Sequence, residues 1–122
     1  MRPISFVLAA ALWVGATLPA FAVELLMVEQ KGCYYCRTWN ANIAPIYPKT
    51  PEGQFAPLRR ADLREGPPDG VTYARPVTYT PTFILLEDGT EIGRIEGYPG
   101  EDFFWGLLQM MLKEKTDFQD AG

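Results

Sequence analysis

Histidine is absent from all 122 residues of this chain, and cysteine occurs only at Cys33 and Cys36. These shortages remove much of the chemistry that a Cys-x-x-Cys motif can carry. Covalent haem attachment needs a histidine directly after the second cysteine, where Arg37 stands. A closed zinc site needs four ligands, so two thiolates would have to be joined by those of a second copy. A cysteine hydrolase lacks its imidazole base. No metal and no cofactor are therefore expected. Positive charge is also scarce, with 11 Lys and Arg against 15 Asp and Glu. That balance excludes nucleic-acid binding through a broad basic surface. The densest basic patch, Arg59-Arg60 with Arg64, reads as an exposed strand edge rather than a phosphate site.

Long apolar runs are missing except near the start. Arg2 gives a short positive opening, residues 4–18 are nearly uncharged and rich in Ala and Leu, and Ala20-Phe21-Ala22 follows. This is the pattern of a secretory signal peptide over residues 1–22, cleaved before Val23. The run is short for a span of about 20 residues, and it is apolar all round rather than on one face. Residues 23–122 show no repeat and no second shift of composition, so one domain acting as a monomer is expected. Export places the two cysteines where disulfides form and persist. A bridge between residues three apart closes almost no loop, so on the chain-entropy account it stabilises little.

Periodicity lays out the rest. Residues 23–28 are a short apolar run that reads as a buried strand. Cys36, Trp39, Ile43 and Ile46 then recur at helical spacing, so a helix opens at the cysteines and Pro45 kinks or ends it. A second short helical turn is expected before Pro51. Residues 58–63 fit a second strand, 66–70 a turn-rich break, and 71–75 a brief helical turn. Residues 82–86 and 90–96 flank Asp88-Gly89 as a hairpin. From Glu101 a helix presents Phe104, Leu107, Leu108, Met111 and Leu112 on one core-facing side, and residues 116–122 fray. The class is α/β, a central mixed four-stranded sheet flanked by helices, with the first two strands parallel.

Within that frame thiol–disulfide exchange is the chemistry left to the cysteines. It needs one thiolate to attack and a second thiol close enough to resolve the mixed disulfide. Cys33 at a helix start has its thiolate favoured by the positive helix end. Cys36, one turn further in, is the covered partner.

Here the chain resembles the thioredoxin superfamily, through Cys33-Tyr34-Tyr35-Cys36 after a first buried strand, Thr80-Pro81 before the strand at 82–86, and a hairpin followed by a terminal helix. The resemblance implies a thioredoxin-like fold, with Cys33 as nucleophile and Cys36 as resolving thiol. It implies a cis Thr80-Pro81 bond with Thr80 offering its backbone to the partner polypeptide. Gly97 and Tyr98 would border the substrate groove, and Tyr34 and Tyr35 would edge it. More narrowly, residues 28–33, 56–63 and 96–105 look like the SoxS-type proteins, small periplasmic thioredoxin-like proteins associated with sulfur oxidation. That resemblance implies a periplasmic reductant of disulfides or mixed disulfides on client proteins, supplied with electrons by a membrane thiol reductase.

The chain departs from the thioredoxin pattern between the cysteines, where Tyr34-Tyr35 replace Gly-Pro, and before them, where Gly32 replaces Trp. Six residues ahead of Cys33, Met27 replaces a buried aspartate that assists proton transfer, so Glu29 or water would have to serve. Two other readings stand beside the reductant: a disulfide oxidase or isomerase, and a non-catalytic module that senses redox state. The family's periplasmic oxidase carries a histidine between its cysteines, and none is present here.

Overall fold

The computed structural model describes residues 22–119. The signal peptide read over residues 1–22 lies outside them, Ala22 apart. A run such as Leu25-Leu26-Met27-Val28, apolar at successive positions, suits a strand covered on both faces. Strand β1 (Val23–Glu29) carries it with all four side chains at 1 % exposure or less. β2 (Leu58–Asp62) pairs parallel to β1 on one side, β3 (Thr82–Glu87) antiparallel on the other, and β4 (Thr90–Glu96) closes the order β2-β1-β3-β4. This is the mixed four-stranded sheet read from the sequence. The β3–β4 turn falls at Asp88 (φ 50°) and Gly89 (φ 83°), the left-handed pair that Asp-Gly accommodates. A Cβ on Gly89 would stand 2.2 Å from the Gly70 carbonyl oxygen, so the 66–70 loop folds directly over this turn.

Alternation along the strands divides the core in two. Leu25, Met27, Phe83, Leu85 and Ile95 face the helices α1 (Tyr34–Asn42) and α3 (Glu101–Lys115). Trp39 of α1 is the centre of that layer, its ring centroid 5.0 Å from Phe83 and 5.7 Å from Phe104. Leu26, Val28, Ile84 and Leu86 face the opposite way and are covered by Ala61, Val71, Tyr73 and Val77. The second face is thus closed mainly by an irregular segment.

Helix α1 ends at Asn42, ahead of Pro45, and a 3₁₀ turn at Tyr47–Lys49 precedes Pro51. A further helix was not read from the sequence: α2 (Pro51–Phe55), capped by Thr50, whose Oγ1 accepts from Gly53 N at 3.0 Å. Residues 71–75 are irregular rather than helical, with an isolated β-bridge from Thr72 to Thr90. Thr72 N donates to Gly89 O at 2.8 Å, Glu91 N to Thr72 O at 3.0 Å, and Ala74 N to Glu91 Oε1 at 2.9 Å. Those bonds replace the ones a helical turn would make, and Pro76 disfavours helical backbone at Arg75. In α3 the core side is Phe104, Leu108, Met111 and Leu112, whereas Leu107 is 40 % exposed. It lies one helical step, about 100°, from Leu108. Of the tail expected to fray over residues 116–122, residues 120–122 lie outside the described residues, and within 116–119 Phe118 is buried and packs edge-on against Phe55.

Candidate active site

Cys33 is the N-cap of α1, with extended backbone (φ −85°, ψ 105°), and its Sγ accepts a hydrogen bond from Cys36 N at 3.1 Å. The sulfur occupies the place that a serine or aspartate oxygen takes at other helix starts, facing free N–H groups and the positive end of the dipole. Cys33 and Cys36 form a disulfide, with Cα atoms 5.2 Å apart. Cys33 is partly exposed, while Cys36 is 2 % exposed and packs into the aromatic core layer. The asymmetry follows from helical geometry: the cap lies at the surface, and one turn later the chain faces Trp39 and the sheet.

Three other segments reach the same end of the sheet, because β1 finishes there, β3 begins there and β4 finishes there. Gln30 Nε2 donates to Thr80 Oγ1 at 3.0 Å, tying the stretch before Cys33 to the start of β3. The Thr80-Pro81 bond is cis. Gly97 N donates to Pro81 O at 2.7 Å, which holds the end of β4 against that proline. Tyr34 and Tyr35 are 64 % and 58 % exposed and meet edge-on, and the Arg37 guanidinium lies 5.8 Å from the centre of the Tyr34 ring. Tyr98 differs, being buried edge-on against Phe104, with its hydroxyl accepting from Asn42 Nδ2 at 3.4 Å. A groove of about 480 Å³ runs between α1 and the start of α3, walled by Tyr34, Tyr35, Thr38, Asn42 and Glu101, with Tyr98 also lining it. Thr80, Pro81 and Gly97 stand outside that groove, on the β3 and β4 side of the sheet end.

On the β1–β2 side of the sheet lies a polar cluster of Glu29, Asn40 and Arg60 beside Met27. Met27 is fully buried and registers with Arg60 of β2. Arg60 Nη1 reaches Glu29 Oε2 at 2.6 Å, Asn40 Oδ1 at 2.9 Å and Met27 Sδ at 3.6 Å, and Asn40 Nδ2 donates to Glu29 Oε1 at 3.2 Å. Each oxygen of Glu29 thus accepts a hydrogen bond within this cluster, and among the described residues no hydrogen bond joins Glu29 to Cys33 or Cys36. Glu29→Gln is expected to leave the rate of thiol–disulfide exchange within about threefold of the parent, well short of the ~100-fold that loss of a general base brings. A fall of that larger size would make Glu29 the base after all. Met27, Glu29 and the Arg59-Arg60 pair each stand out in the sequence, but not as one cluster. Arg60 is exposed on the edge strand β2, as the sequence reading expected, and its charge is paired there by Glu29 and Asn40.

A helix-capping cysteine bonded to a covered cysteine one turn on, at the end of a mixed sheet beside a cis proline, defines a thiol–disulfide oxidoreductase of thioredoxin-like fold. The chain belongs to the thioredoxin-like domain family, whose model matches residues 23–112. Its structure is similar to the reduced-form crystal structure of the periplasmic thioredoxin SoxS from Paracoccus pantotrophus. The two share 53% identity and a TM-score of 0.73, over 75% of this chain and 97% of that one. It is also similar, in fold alone, to a thioredoxin from Malassezia sympodialis, at 18% identity and a TM-score of 0.51, over 75% of this chain and 78% of that one. No match was found among curated protein sequences. Among the described residues no helix is long and apolar enough to cross a membrane.

Proposed function

We propose that this chain is an exported, periplasmic thiol–disulfide oxidoreductase that works as a reductant of disulfides or mixed disulfides on client proteins. The observation that carries the reading is the placement of Cys33 Sγ at the N-terminus of α1, with Cys36 N–H aimed at it and Cys36 covered behind it. In the reduced protein the Cys33 thiolate attacks one sulfur of the client disulfide, forming a mixed disulfide and releasing the other client sulfur as a thiolate. Cys36, deprotonated, then attacks Cys33 Sγ. The second client thiolate leaves, and the protein is oxidised by two electrons to the Cys33–Cys36 disulfide. A dithiol donor at the membrane returns the two electrons. Thr80 and Pro81, with Gly97 beside them, take the client backbone, and Tyr34, Tyr35 and Tyr98 shape the approach to the sulfur.

Two features support the reducing direction and the compartment. No imidazole stands between the cysteines to stabilise the thiolate further, and the more a thiolate is stabilised the more oxidising its disulfide becomes. Similarity to a periplasmic thioredoxin SoxS supports the same compartment, and the proposed clients are exported sulfur-oxidation proteins, as the resemblance read from the sequence implies. The test is the reduction potential of the Cys33/Cys36 couple, measured by equilibration with a dithiol buffer. A value nearer about −270 mV than about −120 mV is expected, and one at the oxidising end would assign the pair to disulfide formation.

A further inference from the structure

Tyr79 immediately precedes Thr80, and although its side chain is 49 % exposed, it is fixed at both ends. Its carbonyl accepts from the hydroxyl of Thr82, a side chain at 1 % exposure, at 2.8 Å. Its own hydroxyl donates to Glu96. Glu96 is held in turn by Arg75 at 2.8 Å, with Arg94 at 3.7 Å. An exposed tyrosine ordinarily keeps its rotamer freedom, and ordering it opposes folding. Here two arginines and a glutamate orient a ring that contributes little to either core layer. What the arrangement produces is a rigid, amphipathic surface, and tyrosine is well suited to that because it has few torsions to lose on contact.

We propose that Tyr79 is a client-binding residue, and that its ring, held by Glu96, forms a wall beside Thr80-Pro81 against which an apolar or aromatic side chain flanking the client cysteine packs. Glu96 and Arg75 are then positioning residues. The inference rests on the reading that the client backbone aligns along Thr80. In that alignment the client side chain opposite or diagonal to Tyr79 falls within reach of its ring, as cross-strand neighbours do in a sheet. The client class is an extended segment with an aliphatic or aromatic residue next to its disulfide.

The test compares exchange between the reduced protein and two peptide disulfides that differ only in carrying Phe or Ser beside the cysteine. Tyr79→Ala is expected to lower the preference for the Phe peptide, the ratio of the two kcat/KM values, about fivefold, as befits loss of one aromatic contact. The fall should lie in KM. Glu96→Ala, which keeps the ring but frees it, should lower the same preference about twofold. The reduction potential should stay at the parent value in both variants. Equal falls for both peptides would make the role structural and overturn the inference, as would a preference that does not move. Failure of the exchange reading has a different signature: the parent protein would turn over neither peptide, and the inference would fall with it.

Discussion

Cys36→Ser is expected to accumulate mixed disulfides with its clients, while Cys33→Ser accumulates few and loses turnover to the uncatalysed background. The asymmetry comes from the start of α1. Cys33 Sγ is partly exposed and already accepts the Cys36 N–H, so negative charge on it meets a donor and the helix dipole. Cys36 is 2 % exposed, and in an apolar layer a thiolate is disfavoured and a bulky disulfide has no approach. With Cys36 absent, the first step proceeds and the second has no nucleophile, so the intermediate persists. The measurement is non-reducing electrophoresis of each variant after exposure to periplasmic protein, with mass spectrometry of the captured partners. Equal yields from the two variants would reverse or erase the assigned roles. The same capture names the clients, and sulfur-oxidation proteins among them would support the narrower proposal.

The features legible in the sequence were those whose cause is local. Asp88-Gly89 needs no distant partner to choose its turn, and the apolar run of β1 carries its burial in its own composition. Cys33 sits beside Gly32 at the head of a helical spacing, so its place on α1 could be read directly. The Thr50-Pro51 pair before α2 was equally local, a capping threonine followed by proline at the first helical position, but the reading stopped at the proline. What escaped depends on contacts between distant residues. Residues 71–75 look helical in isolation, and Thr90 and Glu91, far along the chain, hold them in an irregular path against β4. Arg60 meets Asn40 and Glu29, and Tyr79 meets Glu96, only because strand order brings them together. Leu107 shows the limit of periodicity itself: in a helix with apolar residues on more than one side, the sequence does not say which stripe faces the sheet.

Arg94→Met is expected to destabilise the fold by about 3 kcal/mol, the cost of breaking a buried ion pair from one side. In a domain of this size that lowers Tm by roughly 15 °C. The Arg94 side chain is 5 % exposed and that of Glu91 3 %. Nε and Nη2 of Arg94 each reach a different carboxylate oxygen of Glu91 at 2.6 Å, the two-pronged geometry of a strong pair. Arg94 also donates to the carbonyls of Arg75 and Pro76, and Glu91 accepts from Ala74 N. The pair is thus the polar seam that fastens the 71–77 segment to β4. Removing the arginine leaves a buried carboxylate alone, so Glu91→Leu combined with Arg94→Met should recover part of the loss.

Acid should open the same seam. Burial pushes the Glu91 carboxyl up, but Arg94 and the Ala74 N–H outweigh it and hold the group below the ordinary carboxylate range. A carboxyl whose folded pKa is lowered contributes stability that is fully present above its unfolded value, about 4.3, and is lost as pH falls through the lower folded one. Urea midpoints of the parent should therefore fall below about pH 4.5, and less steeply in the Glu91→Leu, Arg94→Met variant. Equal acid slopes in the two proteins would show that Glu91 carries none of this dependence. The segment so fastened leads directly to Tyr79, Thr80 and Pro81. The seam therefore links the stability of the sheet's second face to the side of the active site where the client backbone is proposed to lie.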